Sequence, residues 1–188
     1  MSRATAALHQ RPLLPADRLR VEEMTRGSSL FRAGEVSVAL EVFDAATGNG
    51  RRRDPDYETL GAEADGLLVG WICWGPTPCT VGTYDLYWIV VDSGWQGRGI
   101  GGTLVTEMER RLAGRARLIV VETAGRDDYA PTRGFYAARG YEVGATIADY
   151  YAPGDDLVTY VKRGSGDPGI RESGFPDPRI SGSPGEIQ

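Results

Sequence analysis

The spacing of apolar residues changes several times along the chain, and each change marks an element. Val36, Leu40 and Phe43 recur at intervals of four and three, which places them on one face of a helix near Ala33–Ala46. A shorter helical pattern precedes it over Asp17–Arg26. Tyr57–Ala64 alternates weakly. The pair Asp65-Gly66 then opens Gly66–Gly75 (GLLVGWICWG), an apolar, β-branched and aromatic run that reads as the second half of a hairpin. Thr83–Val91 (TYDLYWIVV) carries the strongest strand signal and ends in a nearly continuous hydrophobic run. Ile100, Leu104, Met108 and Leu112 fall at four-residue steps with Val105 beside them, predicting a helix. Arg117–Val121 reads as a buried strand, Gly125–Thr132 as a loop around Pro131, and Arg133–Arg139 as a short helix stopped by Gly140. Glu142–Ile147 and Leu157–Lys162 read as two strands around a Pro153-Gly154-Asp155 turn. Helices, a hairpin, then strand–helix–strand–helix–strand–strand predict a mixed α/β (α+β) sheet rather than a doubly wound parallel one.

Composition narrows this picture. A chain of 188 residues fits one domain, since domains commonly hold about 100–200 residues. Both ends lack periodicity. Residues 1–16 are expected to be a flexible N-terminus, 17–163 the folded domain, and 164–188, dense in Gly, Ser and Pro, a disordered tail. The formal net charge is −5, which disfavours non-specific nucleic-acid binding, because that affinity comes from clustered positive charge. A run of arginines, Arg51 to Arg53, reads as a solvated loop. No apolar run approaches the roughly 20 residues of a membrane span, so no membrane partner is expected. Met1–Gln10 has basic residues but no apolar core, so no secretory signal is expected. Cys73 and Cys79 are too few for a disulfide scaffold, which suits a cytoplasmic protein. The sole histidine, His9, lies in the loose N-terminus, which disfavours a histidine triad or a metal site.

The sharpest local feature is Gln96-Gly97-Arg98-Gly99-Ile100-Gly101-Gly102, between the strongest strand and the clearest helix. Glycines let main-chain N–H groups approach a ligand closely. The first N–H groups of a helix are unpaired and its dipole is positive there, so this loop suits phosphate oxygens. Gly97, Gly99 and Gly102 also satisfy G-x-G-x-x-G, with Glu122 about twenty residues on, the fingerprint of a dinucleotide site. Three features weigh against a nicotinamide enzyme. Asp92–Gln96 separate the strand from the first glycine, the loop lies mid-chain behind a hairpin, and too little chain follows for a Rossmann sheet. No Gly-Lys-Ser/Thr ending is present, which excludes an ATP-type phosphate loop.

Val91 through Gly101 (VDSGWQGRGIG), followed by Phe135-Tyr136-x-x-x-Gly140-Tyr141, resembles the two signature motifs of the GNAT acetyltransferases. Gln96, Gly99 and Gly101 meet the family's Q/R-x-x-G-x-G/A pattern; Ser93 stands where the family often has proline. The resemblance covers roughly Gly66 to Lys162. It implies a mostly antiparallel central sheet flanked by helices and splayed where acetyl-CoA, the cosubstrate, binds. It further implies pantetheine bonds to the main chain of Ile89, Val90 and Val91, and a diphosphate on the N–H groups from Gln96 to Gly102. Those residues are Gln96, Gly97, Arg98, Gly99, Ile100, Gly101 and Gly102, with Thr103 adding a hydroxyl.

The same resemblance implies direct attack by a primary amine, from a small molecule or a peptide N-terminus. Tyr136 matches the family tyrosine that protonates the departing thiolate. Glu122 matches the strand-end glutamate of N-terminal alanine acetyltransferases and is the candidate base. Asp85 and Tyr87, acting through water, are the alternative. An N–H near Val91 would serve the developing oxyanion. Asp149-Tyr150-Tyr151-x-Pro153 resembles the tyrosine pair that shapes the acceptor groove; the two point to opposite strand faces if the segment is extended, so at most one lines it. The resemblance also allows a homodimer. A catalytically silent acyl-CoA-binding module is the competing expectation.

Overall fold

The computed structural model of the chain describes residues 8–50 and 52–165. Residues 1–7, Arg51 of the basic run and the expected tail from position 166 onward lie outside the described residues.

Seven strands form one sheet in the order β1-β2-β3-β4-β5-β7-β6. They are β1 (Leu8–Arg11), β2 (Glu58–Ala64), β3 (Leu67–Pro76), β4 (Thr83–Val91), β5 (Leu118–Ala124), β6 (Glu142–Ala152) and β7 (Asp155–Arg163). Every adjacent pair is antiparallel except β4 and β5. The helices are α1 (Arg18–Gly27), α2 (Ala33–Thr47), α3 (Ile100–Leu112) and α4 (Ala130–Ala137). The expected mixed, mostly antiparallel sheet is therefore present, flanked by helices.

β3 explains why its sequence looked apolar on both faces. Leu68, Trp71 and Cys73 pack with Val21, Met24, Val36, Leu40 and Phe43 of α1 and α2. Val69, Ile72 and Trp74 pack with Ile100, Leu104, Val105, Met108 and Leu112 of α3 and with Tyr136 of α4. The strand lies between two helical layers, so alternate side chains enter two different cores. Its hairpin with β2 closes on Asp65 and Gly66 at φ 52° and 77°, the doubly positive geometry that an Asp-Gly turn supplies.

Several boundaries differ from those read in the sequence, among them the following. Leu8–Arg11, assigned above to a flexible N-terminus, is an edge strand paired with Gly61–Ala64. Leu8 packs on the α3-side core, Leu13 is buried, and Arg11 bonds both Asp17 (2.7 Å) and Glu63 (2.9 Å). Four residues are too few to show a period, and their partners lie about fifty positions away in sequence. Helix α4 starts three residues before the predicted Arg133, with Pro131 in its first turn, where a missing N–H costs nothing. β6 runs on to Ala152 through a break in register between Ile147 and Ala152, and Asp149 there takes φ 54°.

Candidate active site

The register of β4 creates the site. Thr83–Leu86 pair with Leu118–Val121 of β5, and the pairing stops there. On its other edge β5 pairs with β7 along its whole length, from Leu118↔Arg163 to Ala124↔Leu157, so only the edge toward β4 opens beyond Val121. Tyr87–Val91 thus keep β3 on one side and face an open gap on the other, the splay that the resemblance implied. A cleft of about 860 Å³ occupies this gap.

The hydrogen-bond phase of β4 decides which of its groups reach the gap. The Asp92 N–H donates to Val69 O at 2.9 Å, and the register Gly70↔Val91, Trp71↔Val90, Ile72↔Ile89 is unbroken. In an antiparallel ladder bonded and non-bonded pairs alternate. Val90 therefore spends its N–H and C=O on Trp71, while Ile89 and Val91 aim theirs into the cleft. Val90 still lines the cleft, with its main-chain groups engaged in the ladder. The Val91 carbonyl already accepts from Gln96 Nε2 at 3.2 Å.

The glycine loop closes one end of the cleft. Asp92 accepts from the Gly94 N–H (2.9 Å) and from Arg20 Nη2 of α1 (2.5 Å), while Arg20 Nε also donates to Leu68 O. The start of the loop is thereby tied to the helical layer. Gly97 and Gly99 take φ 73° and 81°, left-handed values that cost most residues roughly 1–2 kcal/mol. The first helical bond of α3 runs from Thr103 N–H to Gly99 O at 3.0 Å. The N–H groups of Ile100, Gly101 and Gly102 precede it and have no partner within the helix. Gln96, Gly97, Gly99, Ile100, Gly101 and Gly102 all line the cleft.

Arg98 and Thr103 do not line it. The Arg98 guanidinium stacks 4.6 Å from the Trp95 ring and donates to Gly94 O at 3.1 Å. The Thr103 hydroxyl donates back to Gly99 O at 3.1 Å, so both side chains serve the loop's own shape.

Tyr136 and Glu122 both line the cleft. Tyr136 is only 2% exposed, and its ring meets those of Phe135 (5.1 Å), Tyr141 (5.5 Å) and Tyr160 (6.2 Å). Burial raises its phenol above the ordinary value near 10, against the opposing charge of Arg139. Glu122 keeps an exposed side chain on β5. The surrounding protein, and then the Asp85 charge, hold its carboxyl above the usual carboxylate range. Asp85 is not a lining residue; its carboxylate accepts from the Thr77 hydroxyl at 2.8 Å. Tyr87 does line the cleft, and burial pushes its phenol up to about 12.

The opposite end is built largely from residues with no motif to announce them. Phe31, in the α1–α2 loop, meets Trp88 edge-on at 5.3 Å. Leu30 O accepts from Arg126 Nη2 (2.6 Å) and from the buried Tyr129 hydroxyl (3.4 Å). Arg32 Nη2 reaches Asp155 at 3.0 Å. These contacts fasten the α1–α2 loop to the segment between β5 and α4 and to the first residue of β7. Tyr151 lines the cleft and Tyr150 does not. The pair does not splay to opposite faces, because the bulge turns the two rings into edge contact at 4.9 Å.

Comparison with known proteins agrees with this geometry. Residues 25–141 match the model of the acetyltransferase (GNAT) family. The N-alpha-acetyltransferase RimI of Mycobacterium tuberculosis is 34% identical over 145 residues, 73% of this chain and 87% of that protein. A GNAT-family protein from Desulfovibrio desulfuricans superposes with a TM-score of 0.77 at 36% identity, covering 84% of this chain and 99% of its own. Arabidopsis thaliana NAA60, solved with acetyl-CoA, shares the fold at 15% identity, with a TM-score of 0.66 over 84% of this chain and 98% of its own. The chain belongs to the GNAT acetyltransferase family and is an acyltransferase that draws its acetyl group from acetyl-CoA.

Proposed function

We propose that acetyl-CoA lies along the open side of β4 with its diphosphate on the N–H groups of Ile100, Gly101 and Gly102, and that a primary amine enters past Phe31 and Trp88 to attack the thioester directly. One observation carries this reading. A single cleft joins an unpaired strand edge, an unpaired helix N-terminus, a buried tyrosine and a strand-end glutamate. Bound there, the cosubstrate supplies an activated acetyl thioester.

The residues then divide the work. The main chain of Ile89 and Val91 bonds the pantetheine arm, and the Val91 N–H faces the carbonyl oxygen as it gains charge. Gln96, Gly97 and Gly99 shape the turn that presents the helix N-terminus. Glu122 takes a proton from the incoming amine, which must be neutral to attack. Tyr136 offers its hydroxyl to the departing sulfur, and the proton lost by the amine restores that hydroxyl.

The acceptor we propose is a peptide N-terminal amine. An α-amine has an ordinary pKa near 7.7–8.0 and a lysine amine about 10.4, so a single carboxylate can deprotonate the former near neutral pH. The acceptor end also carries Glu35 and Glu122 beside Phe31, Trp88 and Tyr151, which suits a cation on an extended, partly apolar chain. The likeness to RimI supports the same class. We place the enzyme in the cytoplasm, where Cys73 and Cys79, both free thiols, would stay reduced. The edge strand β6, with Val143 and Ile147 half exposed, is where a second copy would extend the sheet.

A panel of short peptides with free N-termini, the same peptides N-blocked but carrying lysine, and small amines tests the acceptor, with released CoA as the readout. Free N-termini are expected to give the highest kcat/KM. Preference for small amines would overturn the acceptor class. Acetyl-CoA binding without turnover on any amine would leave only the silent acyl-CoA-binding module.

A further inference from the structure

We propose that Arg139 is a phosphate-binding side chain of the coenzyme A site, a guanidinium seated across the first turn of α3 to take a phosphate oxygen of the cosubstrate. This inference rests on the acetyl-CoA reading above and adds to it a residue that neither signature motif specifies, since Arg139 fills a variable position before Gly140.

Three arginines line the cleft: Arg32, Arg126 and Arg139. Arg32 sits 3.0 Å from Asp155. Arg126 sits 2.8 Å from Asp128 and 3.7 Å from Asp155. Among the described residues Arg139 forms no ion pair. The carboxylates of the cleft gather toward the acceptor end, and the arginine nearest the glycine loop is left unneutralised.

Its position is nonetheless well fixed. The guanidinium carbon stacks 3.6 Å from the centroid of Phe135, and Nη1 donates to the Phe135 carbonyl at 2.8 Å. Nη2 rests against Gly102 so closely that a Cβ there would overlap it. A glycine at 102 thus makes room for a cation over the helix start. The helix dipole is positive at that point, so an unpaired guanidinium there repels its own seat. An anion shared between the guanidinium and the N–H groups of Ile100–Gly102 removes the repulsion and satisfies both donor sets. The planar, forked guanidinium suits phosphate oxygens better than a lysine would.

Coenzyme A carries phosphate in two places, the diphosphate and the ribose 3′-phosphate. The test is calorimetric titration of the full chain with CoA and with 3′-dephospho-CoA, for wild type, Arg139→Met and Arg139→Gln. Methionine keeps an unbranched stem over Phe135 and Gly102, and glutamine keeps a donor for the Phe135 carbonyl. Loss of a charge-assisted contact predicts CoA binding weaker by roughly ten- to a hundredfold in both variants, and a shallower dependence on salt. If the contact is to the 3′-phosphate, the variants bind CoA and dephospho-CoA alike. If it is to the diphosphate, both ligands weaken by the same factor. A neutral variant that melts like wild type and binds CoA as tightly as wild type overturns the proposal. Wild type that binds no CoA at all would overturn the acetyl-CoA reading instead.

Discussion

Tyr136→Phe is expected to lower kcat about a hundredfold or more while leaving KM for acetyl-CoA within a few-fold of wild type. The size follows from the usual worth of a positioned general acid, about 10²–10⁴ in rate. The split follows from the packing. A phenyl ring keeps the edge contacts to Phe135 and Tyr141 and the tilted contact to Tyr160, so the wall of the cleft survives and only the hydroxyl is lost. Burial holds the phenol above its ordinary range, so wild-type Tyr136 remains a donor throughout the working pH range. The variant should therefore lose rate by a similar factor at every pH, without a new limb in the profile. An unchanged kcat would reduce Tyr136 to a packing residue under the cosubstrate.

Glu122→Gln is expected to cost a comparable factor in kcat, but with a different pH signature. A base must be ionised to accept a proton. Glu122 has its pKa raised above 4.5, first by the surrounding protein displacing water around the carboxyl and then by the charge of Asp85. Wild-type kcat/KM should therefore fall as pH drops through a value above the ordinary carboxylate range. In the variant that limb should vanish, leaving only the titration of the acceptor amine. Stability moves the opposite way. A carboxyl whose folded pKa is raised stabilises the fold while protonated, and that contribution is lost as pH rises through the folded pKa. At neutral pH the charge is thus a cost, and the neutral amide should melt no lower than wild type. Equal activity at all pH values would instead favour Tyr87 working through water, since it too lines the cleft.

The part of this site visible in the sequence is the part built from neighbours in the chain. The β4–loop–α3 unit has a continuous apolar strand, positive-φ glycines and a four-residue helical step, all within about thirty positions, and each is a local requirement. Tyr136 was legible for the same reason, carried by the short Phe135-to-Tyr141 motif. The acceptor end was legible only at Glu122 and at the Tyr150-Tyr151 pair, of which Tyr151 lines the cleft. Phe31 reaches Trp88, and Arg32 reaches Asp155, through contacts spanning fifty-seven positions or more, and no spacing rule encodes such a meeting. The N-terminal strand is not legible because Leu8 meets the α3-side core, and Leu13 the α1–α2 core, only in the folded chain. Arg98 and Thr103 sit inside the motif, and their side chains bond Gly94 and Gly99, a contact the motif does not announce. At Val90 the limit is subtler, since the residue lines the cleft while its main-chain groups face Trp71. Which residues of a strand face outward depends on the hydrogen-bond phase of its pairing with β3, and side-chain alternation does not reveal that phase.

The most direct measurement is a crystal structure of the full chain grown with CoA. The account predicts the diphosphate within hydrogen-bond distance of the Ile100, Gly101 and Gly102 nitrogens, with the pantetheine running beside Ile89 and Val91. A cofactor bound with its diphosphate away from the N-terminus of α3 would contradict it.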